Sequence, residues 1–118
     1  MEDETLQRIV GKSIESATSS LNSFTVAFSN GDGIALSPYG TIEEPGLHIS
    51  LLPASQLPKA TEAVCSVDWS WIYGSKIEAA SDSNGCLQLK LNPAGPLKIW
   101  SAHWQGKPFL AFQPHSKP

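Results

Sequence analysis

Two glutamates, Glu15 and Glu78, stand 63 residues apart in near-identical surroundings, "IVGKSIE" and "IYGSKIE". Paired carboxylates related by an internal twofold could hold a metal or share acid–base work. Each follows an isoleucine (Ile14, Ile77) in an alternating stretch, so the simpler expectation is a pair of outward strand residues facing water. Asp68, between Val67 and Trp69, reads the same way. The three histidines, His48, His103 and His115, stand in no metal-ligand spacing with another histidine, cysteine or carboxylate. Cys65 shares its alternation face with Val67 and Trp69, and Cys86 opens an apolar run beside Asn84-Gly85. A catalytic thiol needs an electropositive, partly exposed setting, so both read as structural cysteines. "NGDG" is too short for a phosphate loop, and no helical pattern follows it. No nucleophile, base and orienting group can be assembled. An enzyme using Glu15 and Glu78 is therefore the last of three readings, and no cofactor or metal is expected.

The aromatic residues are more informative. Four tryptophans fall in two pairs, Trp69 with Trp71 and Trp100 with Trp104. The first pair keeps the parity of Ala63, Cys65 and Val67 in "AVCSVDWSW", which predicts core. Trp100 takes the parity opposite to Leu97 and Ile99, and Trp104 precedes the "QGKP" turn. Trp100, His103, Trp104 and Phe109 are thus the candidate recognition patch, since large rigid aromatics make binding hot spots. The alternative is that the N-terminal segment covers this face, with Leu6 and Ile9 on Trp100.

These residues must be positioned by strands. Residues 9–36 match residues 72–99 without a gap, with identities at Ile9/Ile72, Gly11/Gly74, Ile14/Ile77, Glu15/Glu78, Ala17/Ala80 and Ser20/Ser83. Phe24, Val26 and Phe28 fall on Leu87, Leu89 and Leu91, and Ile34 and Leu36 fall on Leu97 and Ile99. Apolar residues at every second position are the strand signature, and "SNGDG" and "NPAGP" supply the turns. Each copy reads as a meander of three strands, the third the shorter, beginning near Ser13 and Lys76. One such sheet leaves an oily face open, and two can cover each other. Between the copies, "GLHISLLP" predicts a further strand with Leu47, Ile49 and Leu51 inward, and "ASQLPKATEA" a loop or one helical turn. "KPFLAFQP" predicts a last edge strand stopped by Pro114. Residues 3–10 predict a short helix with Leu6, Ile9 and Val10 on its apolar face.

At 118 residues the chain is the size of one domain, taken as 1–118, able to bury a core without disulfides. Only 16% of it is charged, below the usual quarter, which favours strands and turns over charged surface helices. Net charge is −3 with no basic run, which argues against nucleic acid and against an anionic membrane surface. "MEDETLQRIV" lacks the plan of a signal peptide, and the two cysteines form no framework, so a cytoplasmic location is expected.

The twice-repeated pattern, an isoleucine–glycine–isoleucine motif, a polar stretch, an alternating strand and a glycine-bearing turn, resembles small bacterial β-domains, some of them grouped with immunity proteins of toxin systems. It reads "IVGKSI…FTVAFSNGDGIAL" and "IYGSKI…LQLKLNPAGPLKI" here. The resemblance implies a β-rich fold and a protein-binding role, and carries over no catalytic residue. The expectation is a mainly β protein of two duplicated antiparallel meanders, packed as a sandwich or partly open barrel, with a short N-terminal helix. Its expected function is a non-catalytic protein-interaction module, immunity-like or self-associating. A small-molecule or sugar binder using the tryptophan patch is the alternative.

Overall fold

Alternation in the sequence becomes alternation in space. The computed structural model describes residues 3–20, 22–57, 68–83 and 85–113. A seven-residue helix, α1 (Asp3–Ile9), leads into the first sheet: β1 (Ile14–Ser19), β2 (Phe24–Phe28), β3 (Asp32–Gly40) and β4 (Pro45–Pro53). The second sheet follows as β5 (Lys76–Ser83), β6 (Cys86–Asn92), β7 (Gly95–Trp104) and β8 (Lys107–Gln113). Both are antiparallel meanders with strands in chain order, and they do not close into a barrel. The apolar triplets point inward as the period of two requires, and Phe24, Val26, Phe28, Leu87, Leu89 and Leu91 are all buried. The two oily faces cover each other, β3 lying against β8 and β4 against β7, as a two-sheet sandwich.

The 63-residue offset holds in detail and reaches beyond the stretch in which identities are visible. Val26 pairs with Ile34, and Leu89 with Leu97. The register of β1 on β2 shifts between Ile14 and Ser16, and that of β5 on β6 between Ile77 and Ala79. Both glutamates therefore sit in equivalent β-bulges, where the extra residue bends the strand and increases its twist. Leu36 pairs with Ile49 and Ile99 with Phe112, so the fourth strands obey the same offset. Each repeat is a four-stranded unit rather than a three-stranded one. The third strands, β3 and β7, are the longest in their sheets or equal to the longest, not the shorter ones the sequence led us to expect.

The halves meet about a local twofold axis. Ser13 bridges Lys76, its own equivalent. Around that bridge the backbone bonds are reciprocal. Gly11 N–H donates to Ile77 O at 2.7 Å and Gly74 N–H to Ile14 O at 2.7 Å. Ile14 N–H donates to Ser75 O at 2.9 Å and Ile77 N–H to Lys12 O at 3.0 Å. Gly11 and Gly74 have φ of 91° and 84°, in the left-handed region that lets the chain turn from each leading segment into its strand.

The leading segments differ in form. The first is α1, which buries Leu6 and Ile9 against β5 and β4 and leaves Val10, expected on that apolar face, exposed. The second is a 3-10 turn over Ser70–Ile72 that buries Ile72, with Trp69 buried just before it. The extended strand expected through Trp69 and Trp71 is thus replaced by a turn. Exposed Asp68 accepts from Ser70 N–H at 2.9 Å, and bonds from Ser70 hold its carboxyl below the ordinary range. The expected alternation over Ala63, Cys65 and Val67 lies outside the described residues, as do Pro114 and His115. "GLHISLLP" is a strand, with Leu47 buried and Ile49 and Leu51 packed against the core. A 3-10 turn, Ala54–Gln56, follows it.

Candidate recognition surface

The glutamates do not form a site together. The Ser13–Lys76 bridge lies between them, and each sits two residues beyond it on opposite sides of the axis. Both are exposed, and Glu78 accepts a bond from Asn92 Nδ2 at 3.2 Å. Among the described residues no group of three histidines, cysteines or carboxylates is placed to hold a metal ion. His48 is exposed on the outer side of β4, its Nε2 3.3 Å from Ser50 Oγ. Cys86 is a half-buried free thiol, and Cys65 lies outside the described residues.

The second sheet carries the patch. Along β7, Leu97, Ile99 and Ser101 are buried, so Lys98, Trp100, Ala102 and Trp104 take the outward side. The pairings give that face its rows. Lys98 lies between Gln88 and Gln113, and Trp100 between Cys86 and Ala111. Ala102 is opposite Phe109, and Trp104 is opposite Lys107. Trp100 and Phe109 are half-buried, while Trp104 is 70% exposed. The N-terminal helix does not cover this face, because α1 packs on β5 and β4.

His103 belongs elsewhere. It has the inward parity of Ile99 and Ser101, and its Nε2 lies 3.2 Å from Gly40 O at the end of β3. Ser101 Oγ donates to Tyr39 O at 3.4 Å beside it. These two contacts tie the β7–β8 hairpin to the β3–β4 hairpin, so His103 is a bridge between sheets and not a member of the aromatic face. Alternation along "IWSAHW" separates His103 from Trp100 and Trp104.

The same bridge brings in residues that sequence reasoning passed over. Tyr39 is 54% exposed and Ile42, in the β3–β4 loop, is 72% exposed. The ring of Tyr39 lies over Gly46, its cross-strand partner, where a side chain would collide with it. Their signal in the sequence was weak, since a tyrosine and an isoleucine beside Pro38 and Gly40 read as loop.

The other tryptophan pair is core. Trp69 lies against Phe24 and Phe112, with ring centroids 5.0 and 4.9 Å away, and its indole N–H donates to Ser19 Oγ at 2.9 Å. Trp71 stacks on it at 6.1 Å. The Trp71 Nε1 is buried and has no acceptor among the described residues.

No protein-family model, no characterised protein and no solved structure matches this chain. Among the described residues, no helix is long and apolar enough to cross a membrane.

Proposed function

We propose that the protein is a non-catalytic, cytoplasmic protein-interaction module whose contact surface is centred on Trp104, with Trp100 and Phe109 on the same sheet face and Tyr39 and Ile42 at the neighbouring hairpin. The observation that carries this reading is the exposure of Trp104 at the end of a paired hairpin ladder, backed by two further exposed apolar side chains. A single exposed tryptophan would need no explanation, but Trp104 shares its sheet face with Trp100 and Phe109, and a contiguous apolar patch is what marks a contact site. Partly exposed, rigidly mounted aromatics lose little entropy on binding and supply most of the energy of many interfaces. The resemblance to immunity proteins fits a role of this kind.

Trp104→Ala tests it. Because Trp104 is exposed, the variant should keep its melting temperature within a few degrees. Proteins retained by the wild-type chain from a lysate of its source cells should be lost with the variant. If the same proteins bind both chains equally, the patch is not the contact surface.

A further inference from the structure

The outward face of the second sheet has a charge as well as an apolar centre. Residues 1–82 hold all eleven carboxylates against four cations, a net −7, whereas residues 83–118 hold four lysines and no carboxylate, a net +4. An asymmetry of this size within one chain is a prior for charged contacts. The second sheet itself, residues 76–113, holds four lysines against Glu78 and Asp82, a net +2. Of the four lysines in residues 83–118, Lys90, Lys98 and Lys107 are described, and all are exposed with the outward parity of β6, β7 and β8.

Their arrangement follows from the register. Lys90 pairs with Pro96 at one end of the face, and Lys98 stands between Gln88 and Gln113. Trp100, Phe109 and Trp104 come next, and Lys107 closes the far end opposite Trp104. Lysines therefore flank the aromatics on both sides. Among the described residues none of the three makes an ion pair; the described ion pair of this kind is Lys12 with Asp32, at 3.4 Å on the other sheet. The carboxylates of the same sheet are half-buried Asp82, opposite Leu87, and Glu78, at the β5 bulge beside Asn92, the corner farthest from Trp104. Glu43 and Glu44 belong to the β3–β4 loop that His103 ties to the other end. Lysines commonly guard sheet edges against pairing, but that accounts only for Lys107 on β8. Lys90 and Lys98 lie on the two central strands.

We infer that this face receives an acidic protein segment, its carboxylates paired with Lys90, Lys98 and Lys107 and its apolar side chains seated on Trp100, Trp104 and Phe109. The inference rests on the reading above and names the chemistry of the partner. Three lysines spread over three strands are a small footprint for a nucleic acid, whose affinity comes mainly from phosphates neutralised. A short acidic segment with apolar anchors meets both the charge and the aromatic rows of this face.

The test is titration of the full-length protein with a synthetic glutamate-rich peptide carrying leucine anchors, followed by amide NMR. A lysine-for-glutamate copy of the peptide and an oligothymidine serve as the other probes. The acidic peptide should shift resonances of β6, β7 and β8, and its affinity should fall about tenfold between low salt and roughly 0.3 M salt. The triple variant Lys90→Glu, Lys98→Glu, Lys107→Glu should fold normally, since all three side chains are exposed, and should lose the peptide. Peptide binding that survives the triple reversal overturns the inference. So does oligothymidine binding the same face more tightly than the peptide, or absence of binding by the peptide at millimolar concentration. A lysate partner lost with Trp104→Ala but kept by the triple variant would leave the interaction-module reading intact and remove only the acidic partner.

Discussion

At one end of the core three aromatic rings meet: Phe24, Trp69 and Phe112. Their counterparts 63 residues away are Leu87, Leu6 and Ile49, two of them buried and Ile49 packed against the core. One backbone plan therefore carries an aromatic pole and an aliphatic pole. Trp69 brings a polar atom that Leu6 lacks, and Ser19 satisfies it. A larger and a smaller set of side chains at equivalent sites are accommodated by different leading segments, a 3-10 turn before Ile72 and a helix before Ile9. Reciprocal bonds about Ser13 and Lys76 hold the frame, and the side chains are free to diverge upon it.

The outer faces diverge further. In the first half Thr18, Thr25, Ser37 and His48 lie on the outward side, with Thr18 and Thr25 hydroxyls 2.7 Å apart. In the second half the outward side carries Lys98, Trp100, Trp104 and Phe109. Trp100 stands where Ser37 stands in the first half, and Trp104 where Thr41 stands. A structural need shared by both halves would ask for similar residues at equivalent places. Tryptophan stands outward on the second half alone, while Tyr39, outward on β3, has Ala102 as its counterpart, so the outer faces diverge where the core does not and point to a demand from outside the fold.

The largest effect should come where the halves agree. Val26 and Leu89 are equivalent, central in their strands, and 2% and 3% exposed. Val26→Asp and Leu89→Asp each bury an unpaired carboxylate at a cost of several kcal/mol, about the whole stability of a small domain. Both should abolish the cooperative melt followed by circular dichroism. A variant that melts like wild type would mean its half does not share the core.

A smaller and sharper test is Gly11→Ala against Gly74→Ala. Neither glycine has a neighbour within 4 Å of where a Cβ would sit, so the cost comes from the backbone alone. An L-residue held in the left-handed region loses about 1–2 kcal/mol, and the two variants should lose equal amounts in chemical denaturation. Unequal losses would show that the twofold is broken at the junction where the reciprocal bonds are made.

Much of this frame was legible in the sequence, and the reasons for what was not are local. Alternation at Phe24–Phe28 and Leu87–Leu91 gave strands, faces and core together, because one buried face fixes the parity of a strand. The fourth strands were hidden as repeats, since Ile49 matches Phe112 and Gly46 matches Phe109 only in position. Trp69 and Trp71 misled for a different reason. Two residues apart, they fit a strand, yet tight turns also carry apolar side chains inward, and period two over so short a run cannot separate them. His103 was grouped with Trp100 and Trp104 by nearness in the chain, where alternation alone separates them. The lysine face went unseen because its members are eight or nine residues apart, and only the register of three strands brings them onto one side.

The two hairpin tips offer the finest comparison. Gly40 pairs with Pro45 and His103 with Pro108, which are equivalent, but only the second ladder adds one more pair, Trp104 with Lys107. The first tip is a four-residue loop, in which Glu44 N–H donates to Thr41 Oγ1 at 3.1 Å. The second is a two-residue turn, Gln105-Gly106, with φ of 52° and 78°. Positive φ at both positions is the turn whose twist suits a hairpin, and its preferred first residue is asparagine or glycine. Gln105 is the described non-glycine residue with positive φ, so the protein accepts a strained residue at the point that mounts Trp104. Gln105→Asn keeps the turn and relieves part of that strain. It should raise the denaturation midpoint by the equivalent of about 0.5 kcal/mol, with the slope unchanged. Partner binding should stay as it was, because Trp104 remains the last pair of the ladder. A loss of stability would show that Gln105 makes a contact its backbone geometry does not reveal, and that this tip is held by more than its turn.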